Sequence, residues 1–278
     1  MLQLMTAMLL LAGLCWLVGC DGGAQPYQRK HGSWYYDDRP LPAPADVELT
    51  VLNRRFAKSA TEAYYRHQAI SGADASSFEA LDEHHARDRA HVWYGDTYRV
   101  SQDYFSTQRI RMTVLAEADP RSFRLLGQGY GSDGRHLYFE GERFAVREPA
   151  SFTPLEGGFA RDQRSGYYLR EPVPGSDGAS FAVLGAHYAR DARHVFHADL
   201  DYAASPPRVR VRTLPGVAPA GFQELESGYA RNDRQVFWQG LPVQQADAAS
   251  FSVLSPPEDG ADARDARHRY QRGQRVGE

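Results

Sequence analysis

The 278-residue chain is poor in cysteine and nearly devoid of lysine. It has two Cys (Cys15 and Cys20) and two Lys (Lys30 and Lys58) against thirty Arg. Beyond Cys20 there is no thiol, which excludes disulfides, thiol redox chemistry and Cys-ligated metal there. Gly-x-Ser-x-Gly is absent, and no Cys nucleophile follows residue 20, so the usual hydrolase signatures are missing. Apolar runs long enough to approach a membrane span are confined to residues 1–19. A formal net charge of −3 argues against nucleic acid as a partner.

What is present is a repeat. The nonapeptide from Tyr188 to Phe196 returns at Phe56–Tyr64, His85–Trp93, Tyr130–Tyr138, Phe159–Tyr167 and Tyr229–Phe237. Lys30, Ser59, Asp88, Asp133, Asp162, Asp191, Asn232 and Asp265 serve as anchors, and an aromatic stands five residues after each. These aromatics are Tyr35, Tyr64, Trp93, Tyr138, Tyr167, Phe196, Phe237 and Tyr270. Ten residues before the anchors of the regular copies stands Leu49, Phe78, Phe123, Phe152, Phe181 or Phe222, and Phe251 opens the last copy, whose anchor is delayed by four extra residues. A leucine follows three residues after each of the seven. Their spacings of 29, 45, 29, 29, 41 and 29 define a 29-residue period with insertions of 16 and 12.

Each copy predicts two strands joined by a tight Asp-x-Arg-His type turn, because Asp bonds its own backbone in turns and the following run is β-branched and aromatic. Alternation places the recurring aromatic on one face and its neighbours on the other. The Phe-x-x-Leu segment fits a turn of helix or a kinked strand. The whole predicts an all-β array of seven to eight antiparallel hairpin repeats, curved or solenoid-like. Propeller-like closure, with two hairpins making a four-stranded blade, is the alternative. One copy buries too little to stand alone, so the copies must stack.

With Tyr35-Tyr36, Tyr64-Tyr65 and Tyr167-Tyr168 following such turns, the chain resembles the DKNYY family of bacterial proteins over roughly residues 27 to 275. The family's Lys and Asn are mostly replaced, as in Asp191-Ala192-Arg193. The resemblance implies a repeat protein, often membrane-anchored, and no defined chemistry.

Residues 1–19 lead into Leu17-Val18-Gly19-Cys20, which matches a bacterial lipobox. They predict a lipoprotein signal peptide, lipidation of Cys20, and a short tether over 20–26 before a single repeat domain at 27–278. An ordinary secretory signal is the alternative. Asp21 favours the inner membrane, at its periplasmic face. Arg39 to Asp46, with three prolines, predicts an extended connector.

The insertions, near 96–118 and 198–217, carry Arg109-Ile110-Arg111 and Arg208-Val209-Arg210-Val211-Arg212, the alternation of half-buried strands. They fall at one point of the repeat and predict lengthened hairpins on the same edge. Arg109, Arg111, Arg208, Arg210 and Arg212 are the candidate partner-binding residues, since guanidinium forks suit carboxylates and phosphates. The last copy reads as a polar cap. His91, His136, His194 and His268 recur three after an anchor and read as turn residues, and His85 as packed. Glu258, Asp259, Asp262 and Asp265 lack an EF-hand pattern. No catalytic residue, metal site or cofactor is expected. The expected function is a lipid-anchored envelope binding or scaffold protein without catalytic activity, its partner an envelope protein or acidic polymer. An envelope hydrolase with carboxylates spread over repeats is one alternative, and a partner-specific folding or immunity-type protein another.

Overall fold

The structure, a computed structural model, describes residues 25–99, 108–204 and 207–277. The signal segment 1–19, Cys20 and most of the tether lie outside the described residues. So do the tips of both insertions. No helix among the described residues is long and apolar enough to cross a membrane.

Eight antiparallel sheets follow one another along the chain, each a meander whose strands are paired in sequence order. They fall within residues 27–40, 50–69, 79–114, 124–144, 153–172, 182–213, 223–242 and 252–276, and are called sheets 1 to 8. Sheet 1 has three strands and the others four. The expectation of two strands per copy is thereby corrected, and with it the idea that two copies share a blade. The central hairpin was legible, but the flanking strands are as short as two residues, such as Thr50–Val51 and Gln68–Ala69. Arg39–Pro40 is the third strand of sheet 1 and not part of a connector.

Both faces of the central hairpin are buried in the interior sheets, because each of these packs between two neighbours. The recurring aromatic pairs across the hairpin with a small residue, as in Ala57 with Tyr64, Ala160 with Tyr167 and Ala189 with Phe196. Both point toward the preceding sheet. The small partner makes room for the Phe of the Phe-x-x-Leu segment: a Cβ on Gly131, opposite Tyr138, would meet the Phe123 ring at 2.4 Å. On the other face, the residue three before each anchor points toward the following sheet. Tyr27, Phe56, Tyr130, Phe159, Tyr188 and Tyr229 hold this station, together with His85 in sheet 3.

Phe and Leu of the Phe-x-x-Leu segment also divide between the faces. Phe181 packs backward with Phe196 while Leu184 packs forward with Tyr188. An odd spacing does this on an extended chain, and a two-residue strand, here Ala182–Val183, lies between them. Single 3-10 turns precede the Phe in sheets 5 and 6, at Pro149–Ser151 and Gly178–Ser180.

Seven hydrophobic clusters result, one at each junction of adjacent sheets. Among the described residues none joins sheet 1 to sheet 8, so the array is open and propeller-like closure is not seen. Tyr35 departs from expectation as a core aromatic. It points away from sheet 2, it is only half-buried, and Lys30 Nζ lies 5.7 Å from its ring centroid. The other seven aromatics are at most 5 % exposed.

The anchor aspartates tie each turn to the connector before it. One oxygen of Asp191 accepts the N–H groups of Arg193 and His194 at 2.7 Å, and the other accepts the Asp177 N–H at 3.0 Å. Ser180 Oγ returns the contact by accepting the Ala192 N–H. The same reciprocal lock recurs with Asp88 and Ser77, and with Asp265 and Ser250. Asp133 and Asp265 are pulled in opposite directions. Burial raises them, but the N–H donors hold both at about 2.

Candidate functional site: two long hairpins

Sheets 3 and 6 depart from the rest at one place, the hairpin of their third and fourth strands. In sheet 3, Val92–Tyr98 pairs with Arg109–Val114, and in sheet 6, Val195–Asp201 pairs with Arg208–Thr213. Both insertions therefore lengthen the same turn, as the repeat predicted.

Strict alternation gives each long hairpin two unlike faces. Ile110 and Met112 in sheet 3, and Val209 and Val211 in sheet 6, face the preceding sheet and pack on its cluster. Each hairpin thus leans back over the two sheets before it and roofs a cleft. Behind the sheet 6 hairpin the cleft measures ≈ 580 Å³, with an apolar floor that includes Phe139, Leu169, Leu200 and Pro172. The corresponding space behind the sheet 3 hairpin is smaller, ≈ 180 Å³. There Arg66 stands where sheet 5 has Leu169; its guanidinium lies 5.8 Å from the Tyr36 ring centroid, and it donates to Gln108 Oε1 at 3.4 Å.

The arginines line the other face, and the structure divides them. Arg210 forks onto Asp199 with bonds of 3.0 and 2.8 Å, and Asp201 lies 3.7 Å away. Arg111 is 3.7 Å from Asp96, its cross-strand partner. Both are largely neutralised within their own hairpin, which limits them as partner-binding residues. Arg109 also has a partner. Arg208 and Arg212 have no ion-pair partner among the described residues; Arg208 is exposed and lines the larger cleft, and Arg212 is half-exposed. At the hairpin base, burial foremost drives the His197 imidazole down to about 4. Asp199 opposes this, while the charges of His187, Arg212 and Arg210 reinforce it. Tyr202, close to the tip, is 77 % exposed.

The histidines three after the anchors behave as turn residues: the His136 ring lies 3.0 Å from Asp133. The acidic run near the end is dispersed, with Asp262 accepting from Tyr229 and from the Arg272 N–H. No group of three His, Asp or Glu among the described residues could hold a metal ion. Missed from sequence were the aspartates that answer the arginines. Asp96, Asp199 and Asp201 were visible, but their pairing depends on a hairpin register that the inserted length leaves open.

Fold and hairpins together define a stacked β-repeat protein with two projecting edges. The DKNYY family model matches residues 23–97, which take in sheets 1 and 2 and the first strands of sheet 3, and supports a DKNYY repeat assignment there. Comparison with curated proteins and with solved structures finds no match.

Proposed function

We propose that this DKNYY-repeat array is a non-enzymatic binding or scaffold module of the bacterial envelope, held at a membrane through lipid on Cys20, its periplasmic face and the inner membrane being favoured by Asp21. The observation that carries the binding reading is the matched pair of long hairpins. A regular array is interrupted twice at one position, each time with apolar residues turned inward and arginines turned outward. Insertions into a rigid scaffold are a common way of building contact surfaces. Arg208, exposed at the mouth of the ≈ 580 Å³ cleft, is the residue best placed to meet an acidic group on an envelope protein or polymer.

Crosslinking in the native host tests this. Arg208→Glu with Arg212→Glu should deplete the captured species at least about tenfold, a loss on the order of one charged contact. The Arg210→Glu variant serves as a comparison that disturbs the Asp199 pair instead. Capture that is the same in the double variant and the parent would end the hairpin reading. Labelling with a palmitate analogue should mark the parent and leave Cys20→Ala unlabelled; equal labelling would end the anchor reading.

A further inference from the structure

The junction between sheets 3 and 4 differs from the other six. At the station three before the anchor, sheets 1, 4, 6 and 7 carry tyrosines whose hydroxyls bond main chain of the next sheet. Tyr130 donates to the Leu169 carbonyl at 2.7 Å, and Tyr188 accepts the Gly240 N–H at 2.9 Å. In sheet 3 the residue is His85, which is shorter and 2 % exposed. Where the tyrosine hydroxyl would reach, there is a pocket of ≈ 340 Å³, lined among others by Asp82, His84, His85, Tyr94, Asp96 and Glu140.

The polar groups around this pocket are mostly acceptors. His85 Nδ1 lies 3.1 Å from both oxygens of Asp82, so that nitrogen carries the proton and donates. Nε2 is left as the lone-pair nitrogen, buried and without a partner. A buried polar atom without a partner is costly, and each one in a native fold calls for an explanation, a bound donor among them. His84 is not available for the role, since its Nδ1 donates to the Gly95 carbonyl at 2.8 Å and its Nε2 accepts from Arg55 at 2.7 Å. Asp82 is occupied by His85 and by the N–H groups of His84 and His85. Asp96 and Glu140 supply further carboxylates, and the Tyr94 ring forms a wall that stacks with His84 at a centroid distance of 5.8 Å. Arg111, 3.7 Å from Asp96, and Arg55, bonded to His84, offset part of this negative charge, and Asp96 also accepts the Thr97 N–H at 2.6 Å.

We infer that this pocket binds a small organic cation, an ammonium or guanidinium group whose N–H donates to His85 Nε2 and whose charge is balanced chiefly by Glu140, with Asp96, already shared with Arg111, contributing less. A bare divalent ion is a poorer fit, because the carboxylates and histidines nowhere gather in threes at ligand distance among the described residues. The site lies on a different junction from the arginine hairpin of sheet 6 and stands or falls independently of it.

The test titrates the full chain with spermidine and, separately, with acetyl-arginine-amide, following the His85 ring resonances by NMR; sodium glutamate is the control. Saturable shifts with either cation and none with glutamate support the site. The tighter of the two shows whether a free polyamine or a peptide side chain is the natural source. His85→Tyr restores the residue that four other sheets use, should stay folded, and should weaken binding at least about tenfold by filling the pocket. Glu140→Gln, which leaves packing intact, should weaken it about threefold to tenfold through loss of one carboxylate. Absence of saturable shifts with both cations overturns the inference, as does unchanged affinity in His85→Tyr or, if that variant fails to fold, in Glu140→Gln.

Discussion

Sheets 1 and 8 end the described array in opposite ways. In sheet 8 the stations that would face a following sheet are polar: Asp262, Arg269 and Gln271 stand where sheet 7 has Tyr229, Val236 and Trp238. Sheet 1 keeps Tyr35 at the station that faces a preceding sheet, although Gln28 has replaced the usual small partner. Lys30 of its own hairpin lies over the ring there. The contrast teaches what the recurring aromatic does. Its burial comes from the neighbouring sheet: the tyrosine at this station is core at Tyr270, where sheet 7 packs on it, and half-exposed at Tyr35.

The largest effect expected from this comparison is in the interior. Tyr167→Ala removes a side chain buried between sheets 4 and 5 and should cost about 3–5 kcal/mol in chemical denaturation. A smaller loss follows from breaking the reciprocal lock. Asp191→Ala strands three N–H donors and should cost about 2 kcal/mol or more.

Acid should act on the same features in two stages. His197 is held neutral in the fold, at about 4 against an ordinary 6.5, so the unfolded chain takes up its proton first. Stability present above pH 6.5 is therefore lost as pH falls toward 4. The anchor carboxylates Asp133 and Asp265 are depressed from 3.8 to about 2, and their contribution disappears between those values. A His197→Phe variant should flatten the first stage in a pH series of melting temperatures and leave the second. The smallest effect is at the first sheet, where Tyr35→Ala should cost less than about 1 kcal/mol, because little buried area is lost.

Much of this architecture was legible because aromatics at fixed spacing survive substitutions around them. The 29-residue period, the stacking and the equal placement of the two insertions follow from Phe78, Trp93 and their counterparts. The number of strands did not, since a strand of two residues such as Glu171–Pro172 shows no alternation. Nor did burial on both faces: in Tyr64-Tyr65 and Tyr167-Tyr168 apolar residues fall on both sides, which reads only as a rich strand until a second neighbour is in view. Five hairpin arginines were readable as a group. Which were already answered by Asp96, Asp199 and Asp201 depended on cross-strand register. His85 was read as packed, which it is, but the unpartnered nitrogen emerges only when its station is compared with the tyrosines of other sheets.

The most direct test sets Tyr35→Ala beside Tyr270→Ala in guanidinium unfolding. Stacking by the neighbouring sheet predicts a loss of about 3 kcal/mol or more at Tyr270 and less than about 1 kcal/mol at Tyr35. Equal losses at the two ends would mean that the aromatic stabilises its own hairpin, and would contradict the account.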